Sequence, residues 1–231
     1  MLDAEFDSYV GEYAAQHAQS IRLSGETPGY FAEYKIRELA RMARGWGYSD
    51  PQILDFGSGM GNSLPGLRKY FPGSKISAAD VSAGSLAAAQ RLHGAREAQL
   101  LIGAGGIPAP DASFDISFTA CVFHHIPEAE HLRWLSELRR VTRPGGRLVI
   151  FEHNPLNPLT RHAVRICPFD VNAVLIGSGE MRARMIAAGW DAPKVDHHVF
   201  FPRALSRLRG LENALRWCPL GGQYAAYAQR G

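Results

Sequence analysis

The chain has 231 residues, of which 46% are apolar and 20% charged, and its formal net charge is +3. This composition excludes a disordered chain, and no run approaches ~18 uninterrupted apolar residues, so we expect no transmembrane helix. Its three cysteines lack ligand spacing and its first residues are acidic, unlike a secretory signal. We therefore expect a soluble, cytoplasmic protein with reduced thiols.

The charge is unevenly distributed along the chain. Residues 1–129 hold 10 Lys and Arg against 14 Asp and Glu, a net charge of −4, whereas residues 130–231 hold 15 against 8, a net charge of +7. Such asymmetry can indicate an anionic partner. The arginines are spread over predicted helix faces without a compact basic run, however, so we expect no nucleic-acid partner.

Five short apolar runs bounded by turn residues predict buried strands. They are 52–56, 75–80, 98–102, 115–120 and 146–152. A helix is predicted at about 29–45, before the first run, and further helical patterns lie between the others, one of them capped by Ser82 and ended by Gly94. This alternation predicts one domain built on a mainly parallel sheet with helices on both faces.

The end of the chain departs from the simple alternation. "KVDHHVFFP" and "GGQYAAYAQR" predict two more strands, and "RALSRLRGLENALRW" predicts a helix between them. Leucines recur on one stripe of that helix, which predicts a core or dimer contact: Leu205, Leu208, Leu211 and Leu215. We expect a monomer or a homodimer.

A glycine-rich stretch, "ILDFGSGMGN", follows the first predicted strand. Gly57, Gly59 and Gly61 remove three side chains from one small loop, which permits positive φ angles and close approach of a ligand to the backbone. A strand, a glycine turn and a helix start form a site with free N–H donors. The spacing is not the GxGxxG of dinucleotide folds. The two nearby acids, Asp55 and Asp80, suit a cationic group and a pair of ribose hydroxyls.

Four motifs in this order resemble those of the class I S-adenosylmethionine-dependent methyltransferases, most closely the type 11/12 branch. They are "LDFGSGMG", "AADVS", "DASFDISFTACVFHHIP" and "LRRVTRPGGRLVIFE". The resemblance implies a Rossmann-like three-layer sandwich with a mainly parallel seven-stranded sheet and an antiparallel last strand. It also implies an N-terminal helical lid (1–48), a cofactor-binding core (49–152) and an acceptor-side lid with the terminal strands (153–231).

The same resemblance implies S-adenosylmethionine as cofactor and S-adenosylhomocysteine as product. The methionine part would lie against Asp55, Gly57, Ser58, Gly59, Gly61, Ala120 and Cys121. Asp80 would hold the ribose and Val81 would contact the adenine. The acid that the family often places after the third strand is replaced here by Gly103, so the backbone of Gly103 and Ala104 would serve the adenine. Tyr9 and Tyr13 resemble an N-terminal tyrosine motif that closes over the cofactor and acceptor, although their spacing also fits a packed helix stripe.

Histidines follow the fourth and fifth predicted strands, at the sheet edge where such folds bind ligands. His124, His125 and His153 are candidate general bases for an acceptor that must lose a proton, although one of the adjacent pair usually packs structurally. A metal site that combines them with Glu152 is conceivable. Because this branch does not usually need a metal, we expect none.

Residues 153–180 form a long proline-rich segment, which is typical of a functional lid. Its Arg161, Arg165 and Asn172 are candidate acceptor contacts. We predict methyl transfer to an oxygen or nitrogen of a small metabolite. The alternatives are a tRNA or rRNA methyltransferase, and a cofactor-binding protein without turnover.

Overall fold

The computed structural model describes residues 21–231, apart from the side chains of Leu23 and Phe169. One seven-stranded sheet forms the centre of this part of the chain. Its strands are β1 (Ile53–Phe56), β2 (Ile76–Asp80), β3 (Ala98–Leu101), β4 (Phe114–Ala120), β5 (Thr142–His153), β6 (Asp191–His198) and β7 (Gln223–Gln229).

Seven α-helices lie in the same residues. They are α1 (Pro28–Gly45), α2 (Leu64–Tyr70), α3 (Ala83–His93), α4 (His131–Val141), α5 (Pro158–Ile166), α6 (Ser178–Ala187) and α7 (Glu212–Leu215). Side-chain caps start several of them, as at Ser82, whose hydroxyl accepts the N–H of Ser85 and begins α3 where the sequence predicts it.

The sheet order is β3-β2-β1-β4-β5-β7-β6, and β7 runs antiparallel to both of its neighbours. The pairs among β3, β2, β1, β4 and β5 are parallel. The predicted fold class, a Rossmann-like sheet of seven strands with an antiparallel last strand, is therefore confirmed. In this order the carboxyl ends of β1, β2, β4 and β5 meet at one edge.

The two faces of the sheet each carry an apolar cluster, because successive residues of a strand point to opposite sides. Ile53 packs with α1 residues such as Leu39 on one face. Leu54 packs with α4 residues such as Leu135 on the other. The helices thus cover both faces, as the alternating pattern predicts, and none of those in the described part of the chain is long and apolar enough to cross a membrane.

Three segments differ from the prediction. β5 starts at Thr142, four residues before the predicted strand 146–152. Residues 153–180 contain α5 and the start of α6 rather than a plain loop.

The leucine stripe, predicted as a core or dimer contact, does not lie in the core: a 3₁₀ segment (Arg203–Leu211) replaces most of the expected helix, and Leu205, Leu208 and Leu211 are 42–56% exposed. A 3₁₀ helix repeats every three residues, so Leu208 and Leu211 share an exposed edge, whereas Leu205 lies at a kink with non-helical φ and ψ. The dimer contact stays a prediction.

Candidate active site

A cavity of about 400 Å³ lies at the carboxyl ends of the central strands. This volume is within the range of small-molecule sites. The loops after β1, β2, β4 and β5 form one side of it, and α1, α5 and residues 199–202 form the other. Its polar groups therefore come from the sheet edge, whereas its far wall comes from the helices that cover that edge.

The glycine loop after β1 uses its three glycines for different purposes. All three have positive φ, which side chains disfavour. A Cβ on Gly57 would lie 2.4 Å from a methyl of Val122, and one on Gly61 would meet Leu64, His93 and Ala89 at 2.8–3.1 Å. Gly59 has no atom within 4 Å of that position and lines the cavity. Two glycines thus serve packing, and the third leaves room for a ligand.

Asp80 holds that loop in place from the end of β2. Its Oδ2 accepts the backbone N–H of Gly59 at 2.8 Å, and its Oδ1 accepts that of Ser82 at 2.9 Å. The carboxylate therefore fixes both the glycine loop and the start of α3 while it lines the cavity. A charged acceptor bonded to two backbone donors has little rotational freedom, so it presents a fixed surface to a ligand.

Asp55, at β1, is the most unusual acid of the cavity. It is 2% exposed, and no described residue donates a hydrogen bond to its Oδ2. Burial, and secondarily the charge of Asp80, raises its pKa to about 7. A buried carboxylate oxygen without a partner is costly, so a cation that binds in the cavity would be strongly favoured beside it.

The two histidines after β4 are held by acids from two other segments. Glu152 Oε2 lies 2.6 Å from His124 Nδ1, and Oε1 accepts the N–H groups of Val122 and Phe123. Burial alone would lower the pKa of His124, but Glu152 and Asp170 outweigh it and raise that pKa above its ordinary range. His124 is thus held rigidly, in an arrangement that favours its protonated form.

Asp170 comes from the 3₁₀ turn Pro168–Asp170, which follows α5. Its Oδ1 lies 3.5 Å from His124 Nε2 and 3.4 Å from His125 Nε2. A backbone bond of 2.9 Å from Val174 N–H to the carbonyl of His124 fastens this segment to the histidine turn. Burial, with the neighbouring charge of His124, lowers the pKa of His125 to about 4. One acid from residues 153–180 therefore faces both imidazoles.

Cys121 and His153 lie beside the same cavity, at the ends of β4 and β5. Cys121 has a φ of +59°, in the left-handed region that a non-glycine residue seldom adopts. Burial raises the pKa of its thiol, but His153 and Lys35 outweigh that effect and lower it to about 7. His124 and His125 each have an acidic side chain within 4 Å. His153 has none among the described residues.

The far wall of the cavity is mostly apolar. Its apolar side chains are those of Ile21, Pro28, Phe31, Leu159, Ala163, Val199 and Phe200. Lys35, Thr160 and Gln223 add polar groups. A wall of this kind suits a small ligand with a large apolar surface and few polar atoms.

The structure brings eleven of the predicted residues to this cavity. They are Asp55, Gly57, Ser58, Gly59, Asp80, Val81, Ala120, Cys121, His124, His125 and His153.

Six others do not line the cavity: Gly61, Gly103, Ala104, Arg161, Arg165 and Asn172. Gly103 and Ala104 lie in an exposed turn, and Ile102 lines the cavity instead. Arg161 and Arg165 lie on the exposed side of α5, which turns Thr160 and Ala163 inward. Tyr9 and Tyr13 lie outside the described residues.

Sequence reasoning missed Lys35 and Asp170. Lys35 lies on α1, where a lysine in an amphipathic helix is typical of a solvent-facing residue, yet it is 9% exposed and lines the cavity. Asp170 is far from the histidines in sequence and follows no motif. The only available signal was its position in the proline-rich segment predicted as a lid.

Comparison with known proteins places this chain in a family. The model of the methyltransferase domain family matches residues 54–150. A demethylmenaquinone methyltransferase of Mycolicibacterium vanbaalenii is 31% identical over 163 residues, which are 61% of this chain and 68% of that protein. The chain belongs to the class I S-adenosylmethionine-dependent methyltransferases.

Other relatives match over shorter stretches. A demethylmenaquinone methyltransferase of Thermus thermophilus is 36% identical over 107 residues, 45% of this chain and 48% of that protein. The chain thus spans about half the length of several curated relatives that it matches. A Thermotoga maritima structure, described as an S-adenosylmethionine-dependent methyltransferase and possible histamine N-methyltransferase, shares the fold over 100% of both chains, with a TM-score of 0.70 and 18% identity.

Proposed function

We propose that this protein transfers the methyl group of S-adenosylmethionine to an oxygen or nitrogen of a small, largely apolar metabolite. One observation carries the proposal: a cavity of about 400 Å³ joins the buried Asp55, whose Oδ2 accepts no hydrogen bond from the described residues, to an apolar wall. The first feature fits a cationic cofactor, and the second fits an acceptor bound opposite it.

The residues at the sheet edge fit S-adenosylmethionine. Asp55 Oδ2, which accepts no hydrogen bond from the described residues, would receive the ammonium group. The open side of Gly59 leaves room for the methionine part, and Asp80 would receive the ribose hydroxyls. Val81 and Ile102 offer apolar contact to the adenine. When bound, the cofactor would supply a sulfonium methyl group, whose carbon–sulfur bond breaks as the acceptor atom bonds to the methyl carbon, with S-adenosylhomocysteine as the leaving group.

The protein's own contribution is to orient the acceptor, exclude water and accept a proton. Orientation alone accounts for up to ~7–11 kcal/mol in well-aligned intramolecular reactions. Among the histidines, His153 fits the role of general base best, because His124 and His125 both face Asp170. His153 lines the cavity and lies beside Cys121, at the end of β5. It would accept the proton of an acceptor hydroxyl or amine.

The apolar wall supports a flat, ring-containing acceptor such as a phenol or hydroquinone. The relatives named demethylmenaquinone methyltransferases have, by their names, a quinone-type acceptor, which supports the ring-containing class of acceptor and does not decide the atom that is methylated. Lys35 would lie near an acceptor oxygen on that wall, where an ammonium group favours developing negative charge. The mostly apolar wall fits such an acceptor better than an RNA base with its charged phosphates, so it favours a small metabolite over tRNA or rRNA.

The test is calorimetric titration of the full chain with S-adenosylmethionine and S-adenosylhomocysteine, with NAD as the control. Micromolar binding of the first two without binding of NAD is the expected result. Bound protein is then offered a panel of phenols, hydroquinones and amines, and methylated products are detected by mass. Absence of cofactor binding would overturn the proposal, whereas binding without any product would leave the cofactor-binding protein without turnover as the better description.

A further inference from the structure

We propose that His124, His125 and Asp170 form a site for a divalent transition-metal ion of the Zn²⁺ class. The two histidines present one imidazole nitrogen each and Asp170 presents one carboxylate oxygen, and these three atoms lie within 4.8 Å of one another. The structure assigns this site from side-chain geometry, against the expectation that this branch needs no metal.

The separations match what a metal would impose. Asp170 Oδ1 lies 3.5 Å from His124 Nε2 and 3.4 Å from His125 Nε2. Ligands at ~2.0–2.2 Å from a tetrahedral Zn²⁺ are about 3.4 Å apart. Two imidazoles and one carboxylate are also a ligand set that first-row divalent ions use in catalytic centres. Both carboxylate-to-imidazole distances therefore suit a shared ion between them.

The atoms behind these ligands are arranged as in established metal sites. Metal-binding histidines usually donate the N–H of their second ring nitrogen to a carboxylate, which fixes the ring and its tautomer. Glu152 is placed to be that acceptor for His124, because its Oε2 lies 2.6 Å from Nδ1. The N–H groups of Val122 and Phe123 hold Glu152 in turn by donating to its Oε1. His124 Nε2 consequently points toward Asp170. The metal site conceived from the sequence used Glu152 as a ligand. In this proposal Glu152 instead orients the ligand His124 through its Nδ1.

The third ligand is held in place by its own segment. Asp170 N–H donates to the carbonyl of Cys167, and Val174 N–H donates to the carbonyl of His124. These bonds fix residues 167–174 against the turn that contains His124 and His125. The Asp170 carboxylate therefore lies beside both imidazoles before any ion binds. Preorganised ligands lower the ordering cost of metal binding.

The site has three protein ligands and borders the cavity. Catalytic zinc centres have the same number and leave a fourth position for water or substrate. Here that position would face the acceptor part of the cavity and suit an acceptor oxygen. The proposal does not rest on methyl transfer, because metal binding is measured without cofactor or acceptor.

Tag-free, chelator-treated full chain is titrated with Zn²⁺ alone, and Co²⁺ is used as a spectroscopic probe. We expect one ion per chain with micromolar or tighter affinity, and Co²⁺ absorption bands of the intensity that four-coordinate sites give. His125→Ala and Asp170→Asn should each weaken Zn²⁺ binding at least tenfold. Far-UV circular dichroism shows whether each variant is folded.

His162→Ala and Asp111→Asn are the matched controls, because each removes the same chemical group outside the cavity. Both should bind Zn²⁺ as the unmodified chain does. Absence of stoichiometric Zn²⁺ binding by the unmodified chain would overturn the proposal without involving any variant. Equal Zn²⁺ affinity of the His125→Ala and control proteins would also overturn the proposal. His124, His125 and Asp170 would then form only an ion-paired network. Cofactor binding is titrated separately, so the two proposals fail independently.

Discussion

Gly59 donates its backbone N–H to Asp80 Oδ2 over 2.8 Å, and this bond joins the loop after β1 to the end of β2. The same carboxylate receives the N–H of Ser82, where α3 begins. An acid expected only to hold a ribose therefore also shapes the loop that would hold the methionine part. The proposed ribose binding and the local stability would therefore both depend on this residue.

Asp80→Asn should weaken the affinity for S-adenosylmethionine at least tenfold and lower the free energy of unfolding by about 1–3 kcal/mol. The amide loses the charge that two backbone donors and the ribose would share. Calorimetric titration and urea denaturation measure the two effects. Asp111→Asn, whose carboxylate is largely exposed, is the control and should change neither. Unchanged affinity in Asp80→Asn would refute the ribose assignment.

Alanine at Gly57 and at Gly59 should have different consequences, although both positions have positive φ. Gly57→Ala places a methyl 2.4 Å from Val122 and should lower the melting temperature markedly. Gly59→Ala meets no protein atom within 4 Å, so its stability loss should be limited to about 1–2 kcal/mol of backbone strain.

The affinity of Gly59→Ala for S-adenosylmethionine should nevertheless fall, because its methyl group occupies space beside the cavity. Thermal unfolding of each variant with and without the cofactor separates the two effects. If Gly59→Ala bound the cofactor as tightly as the unmodified chain, the loop would not hold the methionine part as proposed.

Asp55 makes stability depend on pH. Its pKa is raised to about 7 in the folded chain from an ordinary value of 3.8, so the folded state holds the proton more tightly. The contribution of Asp55 to the free energy of unfolding is therefore fully present below pH 3.8. It is lost as the pH rises toward 7, by at most about 1.4 kcal/mol per pH unit. Urea denaturation between pH 4 and pH 8 should show this slope, and Asp55→Asn should remove it.

The same carboxyl should release a proton when S-adenosylmethionine binds near neutral pH, because an ammonium group beside it favours the charged form. Calorimetric titrations in two buffers of different ionisation enthalpy measure the proton count. A buffer-independent binding enthalpy at pH 6.5 would show that the ammonium does not reach Asp55.

Leu211 and Leu138 test the corrected position of the leucine stripe. Leu211→Gln should change the free energy of unfolding by less than about 0.5 kcal/mol, because Leu211 is 56% exposed. Leu138→Ala should cost about 2–5 kcal/mol, because Leu138 is fully buried in α4. Sedimentation of both proteins provides the second readout: a fall in oligomer mass for Leu211→Gln would show that the stripe is a dimer contact.

Local patterns predicted the parts of this protein that depend on local chemistry. The strand before Gly57, the cap at Ser82 and the acid at Asp80 each follow from a few neighbouring residues. Asp170 could not be predicted in this way, because its position beside His124 results from how residues 167–174 fold back over the sheet edge. The stripe of Leu205, Leu208 and Leu211 misled for a related reason. Its spacing of three fits the buried face of an α-helix and the edge of a 3₁₀ helix equally well.

The position of β7 between β5 and β6 also constrains the order in which the chain folds. β6 has β7 as its strand neighbour in the described sheet, and β7 follows it in the sequence. During synthesis, β6 cannot join the sheet until β7 has left the ribosome. The half of the sheet that contains Asp55 and Asp80 meets no such delay, so it can form early while the cavity wall formed by residues 199–202 is still incomplete.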